Sequence, residues 1–165
     1  MVYLTLGTVG WGTVDLLRDA LVGLTELPVD VLVAIGSYFD PTQLGPLPDS
    51  VRVERFVRQD LVLRQVDITV HHAGSGTLLA AAAEGMPQLV MPMGADQFQN
   101  ADALAHSGAG LALPQGGVTA AAVRDGVRQL MDDPSHRAAA NRLRSEILAL
   151  PTPAERIDDL IALLV

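Results

Sequence analysis

Short apolar runs alternate with helical patterns from one end of the chain to the other. The apolar runs predict six strands, at residues 2–6, 29–35, 51–57, 67–72, 88–92 and 110–113. Apolar residues recur at helical spacing between them, which predicts helices at residues 15–24, 61–65, 76–84 and 98–106. Three further helical patterns close the chain, at about residues 119–131, 134–149 and 153–164.

This alternation of strand and helix predicts how the chain packs. It favours a parallel sheet with helices on both faces, which is a Rossmann-like three-layer α/β/α domain with a six-stranded parallel sheet. We expect one such domain over residues 1–165. Open sheets of this kind bind ligands beyond the carboxyl ends of their strands, near the point where the strand order reverses. The loops at that edge are 7–13, 36–50, 57–60, 72–77 and 92–100.

Composition excludes several kinds of chemistry. The chain has no cysteine, so disulfides, thiolate metal sites and cysteine catalysis are excluded. All 11 basic residues are arginine, which excludes a Walker P-loop and a lysine Schiff base. The net charge of −8 argues against a broad nucleic-acid-binding face. The absence of lysine, with many Ala, Gly and Leu residues, indicates a GC-rich coding bias of the actinobacterial type.

The distribution of apolar residues bears on location. No apolar run approaches the ~20 residues that a membrane span needs. The first residues, MVYLTLGTVG, place no basic segment before their apolar part, so they do not have the pattern of a signal peptide. We therefore expect a cytoplasmic protein without a membrane span.

The most informative stretch is VHHAGSGTLLAAAAEGMP, residues 70–87. The first amides of the predicted helix lack partners inside it and lie at the positive end of its dipole, which suits a phosphate group. The small residues 74–76 let a ligand approach, and Thr77 adds a hydroxyl. His72 adds a ring N–H donor, or a charge when protonated. Two simpler explanations remain, namely tight packing of a glycine-rich turn and a polar histidine at a strand end.

Other functions for this stretch fit less well. His71 and His72 point to opposite faces of a strand, so one of them at most faces a ligand. No cysteine or carboxylate cluster completes a metal shell around them, so we expect no metal site. A dinucleotide fingerprint fails at Leu79, and a hydrolase nucleophile elbow fails at Ala73 and Thr77.

A second polar feature follows the fifth predicted strand, in MGADQFQNA. Asp96 and Gln97 are an adjacent acid and amide, which can hydrogen-bond neighbouring hydroxyls of a sugar. The alternative is that Asp96 only caps the helix that follows. A phosphate-binding turn and a hydroxyl-binding pair at neighbouring strand ends together suit a nucleotide sugar.

Residues 51–113 closely resemble the donor-binding half of GT-B glycosyltransferases. The specific motifs are HHAGSGT, EGMPQLVMP, GADQ and GAGLAL. The most similar members are bacterial enzymes of the UDP-glycosyltransferase superfamily that glycosylate macrolides, glycopeptides, enediynes and other natural products. The resemblance implies that the chain is the C-terminal, nucleotide-sugar-binding domain of an antibiotic-type glycosyltransferase.

The resemblance implies three groups of donor contacts. The residues expected at the diphosphate are Thr8, His72, Gly74, Ser75, Gly76 and Thr77. Those expected at the transferred sugar are Asp96 and Gln97, and those expected at the base are Phe56, Val57 and Gln59.

Two departures from the plant members of this superfamily leave the base open. Plant members have Trp-x-Pro-Gln where this chain has residues 56–59, Phe-Val-Arg-Gln. They also have a ribose-binding Glu where this chain has Ala80. Both a dTDP-sugar and a UDP-sugar donor fit these departures.

The resemblance also implies the reaction. We expect an inverting, metal-independent transfer of a hexosyl group to a small-molecule acceptor, with no cofactor. The general base belongs to an N-terminal acceptor-binding domain or subunit that is absent here, so we expect no catalytic residue in this chain and no activity from it alone. Two alternatives stay open, a free-standing donor subunit of a two-chain enzyme and a non-catalytic nucleotide-binding module. A nucleotide-sugar epimerase would need an acid/base set that the chain does not present.

The remaining charged residues have two interpretations. The arginines near the third and fourth strands either raise the potential near the donor or are solvated surface charges; they are Arg52, Arg55, Arg58 and Arg64. We expect His106 and His136, on helices, to lie at the surface or at its boundary.

Overall fold

The computed structural model describes residues 1–7, 14–37 and 39–163. Within these ranges six parallel strands form one sheet in the spatial order β3-β2-β1-β4-β5-β6. The strands are β1 (Val2–Thr5), β2 (Val31–Ala34), β3 (Val51–Glu54), β4 (Ile68–His71), β5 (Gln88–Val90) and β6 (Gly110–Ala112). The helices are α1 (Val14–Thr25), α2 (Gln59–Val62), α3 (Ser75–Ala83), α4 (Gln97–Ser107), α5 (Ala120–Asp132), α6 (Pro134–Leu148) and α7 (Pro153–Ala162).

The sheet separates two hydrophobic layers because side chains alternate along each strand. Val2 and Leu4 of β1 point to one face, where they pack with α1 and α5 in the largest core cluster. Tyr3 points to the other face and packs with Leu63 and Ala81. The predicted Rossmann-like three-layer α/β/α fold is therefore confirmed. The strand order reverses between β1 and β4, so a crevice is expected at their carboxyl ends.

Helix α2 begins earlier than its apolar residues predict. The carbonyl of Arg58 accepts the amides of Leu61 and Val62, both at 3.0 Å, so the helical turn starts at residue 59 rather than 61. Leu63, which belongs to the predicted helix at residues 61–65, is buried although the observed helix has already ended. The apolar pattern therefore predicted the burial of Leu63 correctly, but it was wrong about Leu61, which is exposed, and about where the helix begins and ends. Among the described residues, no helix is long and apolar enough to cross a membrane.

The two helical histidines differ in environment. His106 is exposed, as predicted. His136 is buried, as are Ala139 and Ala140, which lie on the same face of α6. Its Nδ1 lies 2.8 Å from the carbonyl oxygen of Gly108. We expected His136 at the surface or at its boundary, but it is buried, because its ring turns toward the Gly108 carbonyl and not toward solvent.

His71 ends β4 inside the core, without solvent exposure. Its Nδ1 accepts the amide of Ala73 at 3.1 Å, so its proton lies on Nε2, which donates to Gln88 Oε1 at 2.8 Å. Burial lowers the pKa of His71 to about 4, although the hydrogen bond to Gln88 favours the charged form. Protonation would also remove the acceptor that Ala73 uses. The neutral ring is thus part of the fold.

The buried, neutral ring of His71 predicts that the stability of the fold falls as the pH is lowered. The unfolded chain binds a proton at His71 near pH 6.5, whereas the folded chain binds it near pH 4, so folding is penalised in that interval. The free energy of unfolding should fall by about 3 kcal/mol across the interval from this group alone. Denaturant titrations of wild type and His71→Asn at several pH values measure it, since Asn keeps an acceptor for Ala73 and does not titrate.

The difference between the two proteins isolates His71 from other titrating groups. A difference that stays constant between pH 6.5 and pH 4 would contradict the assignment of a depressed pKa to this ring.

Candidate ligand-binding site

A pocket of about 320 Å³ opens at the carboxyl ends of β1, β2, β3 and β4. It lies at the reversal of strand order, where the doubly wound topology predicts a ligand. Eight predicted site residues line it: Phe56, Val57, Gln59, His72, Gly74, Ser75, Gly76 and Thr77. Asp96 and Gln97 lie beside it at the start of α4. Thr8 lies outside the described residues.

The floor of the pocket is the start of α3. Gly74 is the N-cap residue, with an extended backbone, and it has no side chain to cap the helix. The amides of residues 75–77 therefore lack a partner within the helix, as the first amides of any helix do. Ser75 and Gly76 are exposed. The arrangement presents unpaired N–H groups and the positive end of the helix dipole to the pocket, which suits an anion.

The His72 ring is wedged between two glycines. A Cβ atom placed on Gly74 would lie 2.3 Å from His72 Nε2, and one placed on Gly7 would lie 2.6 Å from His72 Cε1. Both positions must therefore lack a side chain for the ring to sit where it does. His72 is 8% exposed, and its Nδ1 has no hydrogen-bond partner among the described residues. Burial lowers the pKa of His72, and the nearby charge of Asp96 opposes this, so the ring is neutral near pH 7.

Asp96 connects the starts of two helices. It occupies the N-cap position of α4, yet its side chain makes no capping hydrogen bond. The carboxylate instead accepts the Ser75 hydroxyl at 2.8 Å and the Asn100 amide at 3.1 Å. The Ser75 hydroxyl contributes most, and Asn100 next, to lowering the pKa of Asp96. The alternative in which Asp96 serves only as a cap is therefore wrong for its side chain.

Gln97 has one half of its amide committed within the protein. Its Oε1 accepts the amides of Met93 at 2.8 Å and Gly94 at 3.2 Å, which ties the loop after β5 to the start of α4. The side-chain NH2 group is left as the polar group that Gln97 can offer to a ligand. In the predicted contact with sugar hydroxyls, Gln97 can therefore act only as a hydrogen-bond donor.

Asn100 belongs to this site and sequence reasoning missed it. Its Nδ2 donates to the carbonyl of Ala73 at 2.9 Å and approaches Ser75 Oγ at 3.1 Å, in addition to Asp96. Ala73 is buried with φ +66°, a left-handed conformation that costs a non-glycine residue about 1–2 kcal/mol. The only signal for Asn100 in the sequence was its position one helical turn after Asp96.

The predicted base-binding residues form the outer wall of the pocket. Phe56 is 81% exposed, so its ring face is open to a planar ligand. Val57 and Gln59 are half-buried. The Nε2 atom of Gln59 is buried and has no hydrogen-bond partner among the described residues. No group of three His, Cys, Asp or Glu side chains within the described residues could hold a metal ion.

The strand order and the pocket at its reversal define a Rossmann-like ligand-binding domain. Comparison with known families gives the particular type. Residues 18–163 match the family described as erythromycin biosynthesis protein CIII-like, C-terminal domain, and the chain belongs to that family.

Curated relatives are glycosyltransferases from Saccharopolyspora and Streptomyces. The 3-alpha-mycarosylerythronolide B desosaminyl transferase of Saccharopolyspora erythraea is 41% identical over 129 residues, covering 76% of this chain and 31% of that protein. The L-demethylnoviosyl transferase of Streptomyces niveus is 42% identical over 147 residues, covering 89% of this chain and 38% of that protein. The chain therefore spans about a third of the length of these relatives.

Solved structures agree with this placement. The spinosyn rhamnosyltransferase SpnG, complexed with spinosyn aglycone, superposes with a TM-score of 0.88 at 34% identity, covering 96% of this chain and 44% of that one. SpnG complexed with thymidine diphosphate gives a TM-score of 0.84 at 34% identity, with the same coverage. The resemblance to GT-B glycosyltransferases is confirmed, and the chain is a C-terminal domain of the kind that natural-product glycosyltransferases carry.

The contacts of Asp96 predict an order of effects. Ser75→Ala should raise the pKa of the Asp96 carboxyl more than Asn100→Ala does, because the Ser75 hydroxyl stabilises the carboxylate most. A carbon-detected NMR titration of the Asp96 carboxyl measures both shifts. Gln99→Ala, an exposed change on the same helix, is the control and should leave the titration unchanged. Equal titration curves for all four proteins would show that the described network does not form.

Proposed function

We propose that this chain is the nucleotide-sugar-binding half of a natural-product glycosyltransferase and that the donor diphosphate binds at the start of α3. One observation carries the proposal. The first turn of α3 is uncapped at Gly74, faces the pocket at the reversal of strand order, and lies beside the buried, incompletely bonded ring of His72. Membership in a family of glycosyltransferase C-terminal domains supports it, as does the likeness to an enzyme solved with thymidine diphosphate.

The proposed diphosphate contacts follow from the atoms available. Amides of residues 75–77 donate to phosphate oxygens, as does the Thr77 hydroxyl. The neutral His72 ring adds an N–H donor. Hydrogen bonds to a charged acceptor contribute about 1.5–3 kcal/mol each when partners are well placed. Thr8, which follows β1 in the sequence, is proposed as a further donor.

The rest of the donor is held by the two flanking features. Asp96 accepts hydrogen bonds from sugar hydroxyls, and Gln97 donates through its NH2 group. The base lies against Phe56 and meets the backbone of Val57 and the buried Nε2 of Gln59. A thymidine or uridine base fits these contacts, so we propose dTDP-sugar or UDP-sugar as the donor.

In the whole protein the proposed reaction is inverting and metal-independent. A base outside this chain takes the proton from a hydroxyl of a small-molecule acceptor, and that oxygen attacks the anomeric carbon of the hexosyl group. The bond from this carbon to the diphosphate oxygen breaks on the opposite side. The charge left on the diphosphate is stabilised by the α3 amides and His72. The isolated chain binds the donor weakly and does not transfer it.

Gly76→Ala separates binding from stability. A Cβ on Gly76 would meet no protein atom within 4 Å, so the methyl group costs the fold nothing. Alanine is favoured over glycine in a helix, so the melting temperature should be equal or higher. The methyl group enters the space assigned to the diphosphate, and affinity for thymidine and uridine diphosphates should fall about tenfold. Calorimetry measures the affinities.

Leu79→Ala is the matched control, because Leu79 is exposed on the same helix and does not line the pocket. This variant should bind as wild type does. Wild-type chain that binds neither diphosphate would overturn the proposed function, and unchanged binding by Gly76→Ala would overturn the position of the diphosphate.

Asp96→Asn should weaken the binding of a dTDP-sugar without weakening the binding of thymidine diphosphate. It removes a negative charge near the proposed diphosphate, so thymidine diphosphate should bind equally well or more tightly. It also removes a carboxylate proposed to bind sugar hydroxyls, so a dTDP-sugar should lose about fivefold or more in affinity. Asp102→Asn makes the same charge change on an exposed part of α4 and serves as the control. Parallel changes for both ligands would contradict the assignment of Asp96 to the sugar.

A further inference from the structure

We propose that Arg55 is the cationic counter-ion of the bound phosphate groups, an inference that rests on the proposed function. Arg55 follows β3 directly and lines the same pocket as His72 and the start of α3. Sequence reasoning left it among four arginines that were either near the donor or merely solvated. The structure separates these four.

Three of the four arginines are already neutralised. Arg52 pairs with Glu54 at 2.7 Å, Arg58 pairs with Asp60 at 2.7 Å, and Arg64 pairs with Glu84 at 3.3 Å.

Arg55 differs from these three. It forms no ion pair among the described residues, and its guanidinium donates to the carbonyl of Phe39 over 3.5 Å, which is a weak contact. The nearby Asp40 carboxylate accepts the amide of Thr42 at 3.0 Å and so has a local partner of its own. The guanidinium of Arg55 therefore has only a long contact with a carbonyl and a charge interaction with Asp40 that is not a close ion pair, and Arg55 lines the pocket.

The other residues that line the pocket show why the charge of Arg55 matters for an anionic ligand. No carboxylate and no other arginine is among the described residues that line it. The dipole of α3 supplies a partial positive charge, and the His72 ring is neutral near pH 7. A nucleoside diphosphate carries two to three negative charges, and this protein has a net charge of −8. Arg55 is thus the one full positive charge that the described lining offers to such a ligand.

Titration of Arg55→Gln with thymidine and with thymidine diphosphate tests the inference. Affinity for the diphosphate should fall about tenfold, because a charge-assisted hydrogen bond is lost, and affinity for uncharged thymidine should not change. The loss should be smaller at about 0.5 M salt than at about 0.05 M, since salt screens an exposed charge. Arg55→Lys keeps the charge and should recover most of the salt-dependent part.

Arg58→Gln is the matched control, because Arg58 lies three residues on and already pairs with Asp60. It should bind the diphosphate as wild type does. Equal losses for thymidine and its diphosphate, or an Arg55→Gln variant that behaves like Arg58→Gln, would overturn the role of Arg55 while leaving the proposed function standing. Failure of wild type to bind the diphosphate would instead overturn the proposed function. Circular dichroism of each variant confirms that it is folded before the titrations are compared.

Discussion

The conformation of Ala73 sets the direction in which α3 leaves the sheet, and the site depends on it. Ala73 is buried with a left-handed backbone, and side chains hold both of its polar backbone atoms. Its amide donates to His71 Nδ1 at 3.1 Å, and its carbonyl accepts the Asn100 amide at 2.9 Å. These two bonds offset the backbone strain and turn the first amides of α3 toward the reversal of strand order.

The two histidines at the end of β4 point to opposite sides of the strand and have different roles. His71 enters the core and supports Ala73, whereas His72 enters the pocket, where Gly7 and Gly74 leave room for its ring. An acidic protein can still offer an anion site here because the field is local: helix amides, a ring N–H and one arginine outweigh distant carboxylates that solvent screens. The Asp96 carboxylate, unlike these distant ones, lies beside the site. Its charge is stabilised by hydrogen bonds from Ser75 and Asn100.

The fold could be predicted from local sequence patterns. Part of the site could not, because it depends on contacts between residues that are far apart in the sequence. The alternation of strand and helix follows from apolar periodicity, and the motif at residues 70–87 is local, so both could be read from the chain. Asn100 was missed because its partners Ala73 and Ser75 lie 27 and 25 residues away. The same limit explains Arg55, whose distinction from its neighbours depends on which carboxylates pack nearby. The buried position of His136 likewise involves a hydrogen bond to Gly108, 28 residues away, which no local sequence pattern predicts.

The central claim is that the amides at the start of α3 bind a diphosphate. Nitrogen–proton correlation spectra of the chain, recorded while thymidine diphosphate is added, test it most directly because each amide is observed separately. The account predicts that the largest shifts fall on residues 75–77, with smaller shifts at His72. Shifts concentrated at the amino ends of the strands, in the cleft lined by Val29, Ile68 and Met131, would contradict it.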